Sequence, residues 1–351
     1  MSHPTVNASA GDSFANPATT PDKPPAPPDL PPVEAPSAGF VVQLFVIPAA
    51  VVVVVIIVWL LFGKLAGGER DAMEYVRLLR SPDANWRAAF ELVSLIQNDP
   101  KLGADPRLLG ELSDLLAHDL DRDDNPKLTQ FVALTLGAFR TLEARAADGR
   151  KIDPLATLAR ALEPKQPEAV RIAAAASLAK HAARLDGRLD DPRAVRALGV
   201  AGEDSDAELR QMAVYALGFF GGEPAARLLR ARLDDEDRFV RYNAAVALGR
   251  RGDLKAQATL REMLSPAGLN KAITIESESE KHNKIEAIEL EALTALQTSI
   301  DHGHPELARA LKPDVSELTR SGLVSVRNKA LALLRSEALR DHSSLPGHDA
   351  R

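Results

Sequence analysis

The residue types that could do chemistry are scattered along this chain rather than gathered. His302 and His304 flank one glycine, and His282, His342 and His348 also fall in the C-terminal third. Histidines in a polar loop are ordinarily solvated, and a zinc centre needs three or four ligands converging on one point, so no metal site is expected. The acidic pairs Asp234-Asp235 and Glu236-Asp237 fall between expected helices, where capping and solvation account for them. There is no P-loop, glycine-rich dinucleotide turn, nucleophile elbow or HExxH motif. The absence of cysteine excludes disulfides, thiolate metal ligands and a cysteine nucleophile. No catalytic, cofactor-binding or metal-binding residue is therefore assigned, and no cofactor is expected.

The charged residues that do recur are of another kind. Asp206 with Arg210, and Asp237 with Arg241, stand four residues apart, and Arg171 and Arg327 occupy the same place in their own segments. Four residues apart on a helix is one face. An Asp at a helix start accepts from exposed amides and suits the helix dipole, while the Arg can reach that Asp or one in the neighbouring segment. Arg171, Arg210, Arg241 and Arg327 could form an anion-binding ladder. Because they recur with the fold itself, a structural ladder fixing one segment on the next is the expected role. Residues 227–251 hold seven arginines, but Glu223, the acidic run 234–237 and Asp253 nearly balance them. With a net charge of -6 and a pI near 5.8, no nucleic-acid partner is expected, since phosphate binding needs a concentrated excess of Lys and Arg.

The elements that must position these residues are helices. In residues 237–249, DRFVRYNAAVALG, Val240, Ala244 and Leu248 fall on one stripe with Ala245 beside them. The alanines allow a neighbouring helix close, and Gly249 is expected to supply the left-handed residue that ends the helix. Residues 206–218, DAELRQMAVYALG, repeat the pattern. Weaker copies place the same leucine at Leu136, Leu178, Leu296 and Leu334, at intervals of 31 to 48 residues. No single helix of this kind can bury its own face, so the pattern predicts about seven stacked helix pairs over residues 64–340. A polar insertion at 265–284, containing ESESEK, interrupts the sixth pair, and Glu289 stands there in place of the Arg. Only 4% of residues are aromatic, as suits packing through small side chains, and no strand is expected outside the apolar run described next.

Residues 1–38 contain ten prolines and too few apolar groups to offset the entropy of ordering, which predicts a disordered tail with polyproline II character. Residues 39–63 enclose an uncharged stretch, 40–62, with Gln43 as its only strongly polar side chain. As a helix this stretch spans roughly 35 Å, enough for a hydrocarbon core of about 30 Å. Pro48 is tolerable near one end and Trp59 suits an interface. The run is too long, and its leading flank too acidic, for a cleaved signal peptide. Lys23 alone precedes the span, whereas Lys64, Arg70, Arg77 and Arg80 follow it, which predicts repeats on the cytoplasmic side. The preference for Arg over Lys, together with abundant Ala, points to a GC-rich bacterial genome and hence to an inner membrane. Residues 341–351 read as a flexible tail.

The string D-x-x-V-R-x-x-A-A-x-A-L-G at 237–249 resembles the short HEAT variant also found in the phycobilisome lyase HEAT-like family. The resemblance covers roughly residues 83–335 and is sharpest in the third to fifth repeats. It implies an all-α fold, an α-α superhelix of the HEAT solenoid type whose second helices line the inner, concave surface. It carries no lyase activity with it, because this repeat is widespread in bacterial proteins that only bind others. The chain is thus expected to be a single-pass, membrane-anchored, non-catalytic scaffold for an unidentified protein partner. Ligand-handling or lyase-like activity is the alternative, and a nucleic-acid-binding array a more remote one.

Overall fold

The structure, a computed structural model, describes residues 71–122 and 124–339. Segments 1–38 and 39–63, on which the expectations of a disordered tail and a membrane span rest, lie outside the described residues, as does the tail 341–351. Among the described residues no helix is long and apolar enough to cross a membrane.

Helices follow one another in pairs. α1 (Ala72–Leu79) pairs with α2 (Trp86–Asn98), α3 (Pro106–Arg122) with α4 (Pro126–Leu136), and α5 (Pro154–Ala161) with α6 (Glu168–Arg184). Next come α7 (Pro192–Ala201) with α8 (Ala207–Leu217) and α9 (Gly222–Ala231) with α10 (Arg238–Arg250). The sixth unit has α11 (Gln257–Met263) and α12 (Pro266–Ala272) before α13 (Glu278–Asp301), and the seventh has α14 (Glu306–Ala310) and α15 (Lys312–Leu318) before α16 (Val324–Leu334). Each second helix packs on the second helices before and after it, and the first helices of the first five pairs do the same among themselves. The result is a stack two layers deep, with one continuous Leu- and Ala-rich core running between the layers.

Local sequence fixes where the helices begin. Several open on a capping residue followed by proline: Asn125-Pro126, Asp153-Pro154, Asp191-Pro192 and Ser265-Pro266. The cap side chain accepts from an amide of the first turn, as Asp153 does from Ala156 at 3.1 Å, and the proline has no amide to leave unsatisfied. Asp206 and Asp237 cap α8 and α10 through Leu209 and Val240, at 2.7 and 3.0 Å. Each such cap contributes about 1 kcal/mol.

Glycine does something other than the sequence pattern suggests. Gly249 lies inside α10, which runs on to Arg250, and the left-handed residue after it is Gly252 at φ +72°. Gly137 and Gly218, its counterparts, have ordinary helical φ values of -69° and -59°. What these positions require is room. A Cβ on Gly137 would stand 2.6 Å from Ser177 Oγ and 2.9 Å from Ser177 Cα, and one on Gly218 would stand 2.9 Å from Ala247 Cβ. Second helices therefore approach closely at the Leu-Gly end of the repeat, almost backbone to backbone at Gly137.

Two further departures concern the connections. α4 stops at Leu136, and the link to α5 forms a two-stranded antiparallel ribbon, β1 (Ala144–Arg145) with β2 (Lys151–Ile152), pairing Ala144 with Ile152. It lies on α3 at Gly110, where any Cβ would run into the Arg145 carbonyl. Strands of two residues are too short to show a period. The fold remains helical, but not wholly so. The polar stretch 265–284, expected as an insertion between helices, is mostly helix. It contains α12 and the opening turns of α13, capped by Ser277, whose Oγ accepts from the Glu280 amide. ESEK is a helix start rather than a solvated loop.

The glycine contacts make a testable distinction. Gly137→Ala should destabilise the fold by about 1–3 kcal/mol, the usual cost of overpacking, despite a gain in helix propensity of up to about 1 kcal/mol. At Gly249 the nearest obstacle is the rotatable Leu260 Cδ1 at 3.0 Å, so Gly249→Ala should stay within about 1 kcal/mol of wild type. Urea denaturation of the two variants checks both.

Candidate functional site

The recurring arginines sit at the same place in successive second helices, and the fold gives them a common task. Arg171 Nη1 donates to Asp204 at 2.7 Å and Arg171 Nε to the Leu162 carbonyl at 3.2 Å. Arg210 reaches forward to Asp235 with two nitrogens, at 3.2 and 3.1 Å, and to Glu236 at 3.2 Å, while its Nη1 donates to the carbonyls of Asp204 and Ser205. Arg241 ties the Asp235 and Glu236 carbonyls and lies 3.7 Å from Glu262, and Arg327 binds the Ser321 carbonyl at 2.7 Å. Asp206 and Asp237 do not pair with the Arg four residues on; they cap. The acids that take the arginines are Asp204 and Asp235, two residues earlier. Their other bond is to the amide of the capping Asp, at 3.0 and 2.9 Å.

This linkage is buried. The side chains of Arg210 and Asp235 are 6% and 7% exposed. The hydrogen bond to Asp235 is the first cause that holds the Arg210 guanidinium above its ordinary pKa. The amide of Asp206, and then Arg171, keep the Asp204 carboxyl below the usual range despite its partial burial. Arg210, with all three nitrogens engaged, has no free fork for a bound anion, whereas Arg171 keeps a buried Nη2 with no hydrogen-bond partner among the described residues.

A second set of contacts ties helix ends to the following unit. His181 Nε2 lies 3.0 Å from the Leu136 carbonyl, which makes that nitrogen the donor. Burial, and then Arg184, depress His181 to about 4, so the ring is neutral near pH 7. Arg184 donates to the Phe139 and Gly137 carbonyls at 2.5 and 3.0 Å, and Arg251 caps Phe220 in the same way. These residues, and the acids Asp204 and Asp235, do not stand out in the sequence pattern of the repeat. The acids had a visible signal in the recurring D-x-D of 204–206 and 235–237.

Glu289 breaks the ladder. It occupies the Arg position in α13, is fully buried, and neither carboxylate oxygen finds a hydrogen-bond partner among the described residues. Burial first, and then Glu286, push it up to about 7.

The candidate histidines do not converge. His302 ends α13, and His304 packs on Gly252 with its amide on the Ser299 carbonyl. His282 Nδ1 bonds back to Glu278 within α13, while His342 and His348 lie outside the described residues. Among the described residues no group of three or more His, Asp or Glu side chains is placed to hold a metal ion.

Two hollows are informative. One of about 640 Å³ lies between α1, α3 and the start of α4. Arg122 on its wall pairs with Asp124 at 2.7 Å and Arg80 with Glu111 outside it at 2.6 Å, while Asp119 Oδ2 is buried there with no hydrogen-bond partner among the described residues. The other, about 200 Å³, lies on the second-helix layer between α8, α10 and α13, lined by Tyr215, Phe239, Tyr242 and Met263. The Tyr242 hydroxyl donates to Glu262 at 2.8 Å, and Lys284 Nζ sits 4.4 Å from the Phe239 ring centre.

The family model for HEAT repeats matches residues 155–242 and 200–277. No curated protein matches the chain. Solved structures that do match include an engineered protein, 17% identical, covering 76% of this chain and 95% of its own, with a TM-score of 0.37. Human deoxyhypusine hydroxylase in complex with glycerol also matches, at 18% identity, 78% of this chain, 97% of its own and a TM-score of 0.28.

The charged groups can be tested by stability measurements. Arg210→Ala strands a buried Asp235 and should cost about 3–5 kcal/mol; adding Asp235→Ala should cost little more, the non-additivity of a shared contact, read by urea denaturation. Glu289 keeps its proton to about pH 7 when folded, whereas its ordinary pKa is 4.5. Between those values the folded state binds the extra proton, so stability falls as pH rises. Relative to wild type, Glu289→Met should therefore gain little below pH 4.5 and about 2–3 kcal/mol by about pH 7.5, with His181 contributing equally to both proteins. The stretch from residue 155 to 277, which contains the buried arginine linkage, carries HEAT repeats.

Proposed function

We propose that this chain is a membrane-tethered, non-catalytic scaffold that binds a partner protein through the face made by its second helices. The observation that carries this reading is the placement of the aromatic residues. Trp86, Phe90, Phe131, Tyr215 and Phe239 stand on second helices with at least part of each side chain exposed, and the half-buried Phe219 closely follows one, whereas Tyr75, Phe139, Phe220 and Tyr242 are buried. Phe90 and Tyr215 are 56% and 46% exposed. Exposed aromatic side chains are the usual anchors of protein interfaces, and stacked repeats offer them along an extended surface. The near balance of charge disfavours a phosphate backbone as partner, and the scattered histidines, with Asp204, Asp206, Asp235 and Asp237 spent on arginines and helix caps, support a binding rather than a catalytic role.

The anchor rests on residues 40–62, whose length and lack of charge suit one crossing. The basic residues after it favour a cytoplasmic repeat array. In cell fractionation the full chain should stay with membranes through alkaline extraction, and deletion of 40–62 should release it. Protease added to intact cells should spare the repeats and cut them only after the cells are opened; release of the full chain by alkali would reject the anchor. Affinity capture from solubilised membranes should then recover a partner protein above background, and failure to do so would remove the scaffold reading.

A further inference from the structure

The sixth unit departs most from the repeat, and its departure builds the groove between α8, α10 and α13. The regular second helices α8 and α10 have 11 and 13 residues, whereas α13 has 24. Aligned on the repeat, Ile288 and Glu289 stand where α10 has Val240 and Arg241, so the turns of α13 before Glu286 have no counterpart in α10. Lys284 is on those added turns. It reaches over Phe239, and together with Ile288 and Glu291 it walls a hollow floored by Tyr242 and Val246.

We infer that this groove receives one bulky apolar side chain, aromatic or leucine-like, from a partner peptide that carries a carboxylate beside it. Size selects a single side chain, since about 200 Å³ is below the roughly 300–1,000 Å³ of small-molecule sites. The lining supplies the apolar contact: Tyr215 is 46% exposed at the rim and stacks edge-on with Phe219 at 5.0 Å, so it is already held for a partner. Charge selects the flank. Glu291 is neutralised by Arg250 at 3.2 Å, and Glu262 is engaged by Tyr242 at 2.8 Å. Lys284 is without a carboxylate partner among the described residues, its contact being the Phe239 ring. The groove thus presents an uncompensated cation beside an apolar hollow, which an acidic flank complements.

This assignment rests on the scaffold reading and can fail without it. The test uses the full chain in lipid nanodiscs and three labelled nine-residue peptides, read by fluorescence anisotropy: Trp-centred with Glu flanks, Ala-centred with Glu flanks, and Trp-centred with Lys flanks. The first should bind tightest. Tyr215→Ala should weaken it about thirtyfold, as a hot-spot truncation does, and Lys284→Glu should reverse the preference between Glu and Lys flanks. Both side chains are exposed, so both variants should melt with wild type, and Lys284→Glu decides the matter should Tyr215→Ala melt early. Equal binding of the Trp- and Ala-centred peptides, or an unchanged flank preference in Lys284→Glu, overturns the proposal. If membrane capture of a partner persists unaltered in these variants, the groove is rejected and the scaffold stands. If capture by wild type returns only background, both fall.

Discussion

A second helix in this protein covers its apolar stripe with the first helix of its own unit and with the second helices on either side, and that requirement governs the rest. Its inward face is made of alanine, leucine and glycine, whose small size brings neighbours close enough for Ser177 to meet Gly137 and Ala247 to meet Gly218. Close approach gains dispersion contacts over the whole length of a helix, but it leaves little tolerance for an added methyl group. No unit holds enough buried surface to be stable alone, as expected of repeats that are stabilised by their neighbours. Cooperation between units is therefore built into the composition.

Close packing alone would allow neighbouring helices to slide by a turn. The buried arginines remove that freedom. Arg171 is fixed at one end by the Leu162 carbonyl at the end of α5 and Arg210 by the carbonyls just ahead of its own helix, and each is fixed at the other by an acid two residues before the next cap. A buried ion pair is weak evidence of net stability, because desolvation offsets most of the attraction. Its directional demand is a different matter: a shifted register would leave both charges buried and unpaired. We read the linkage as fixing register, with hydrophobic burial supplying the free energy.

The stripe of Val240, Ala244 and Leu248 made the helices and their pairing legible in the sequence, since burial on one face imposes a period. What stayed hidden depended on contacts between units. The reason for Gly249 lies in Leu260 and Ala295, residues that no local pattern connects to it. The partners of Arg171 and Arg210 lie 33 and 25 residues on, so a search for pairs within one helix matches Arg210 to Asp206 and Arg241 to Asp237, which are caps. The ribbon at 144–152 is invisible because two-residue strands have no periodicity. The stretch 265–284 misleads for a different reason: its polarity suggests a loop, whereas Ser277 and Glu280 are the chemistry of a helix start.

The sixth unit shows what happens where the register device is given up. With Glu289 in place of the Arg, the linkage that Arg171 and Arg210 carry forward to the next unit is not continued. The buried acid has to be kept protonated or endured as a cost. A unit with no such tie can accept an added helix, and α12 together with the lengthened α13 occupies that freedom. Stability lost at one position and a wall gained beside Phe239 are then two aspects of a single change. Regular repeats yield a uniform surface, and in this chain the departure from that uniformity coincides with the break in the arginine series.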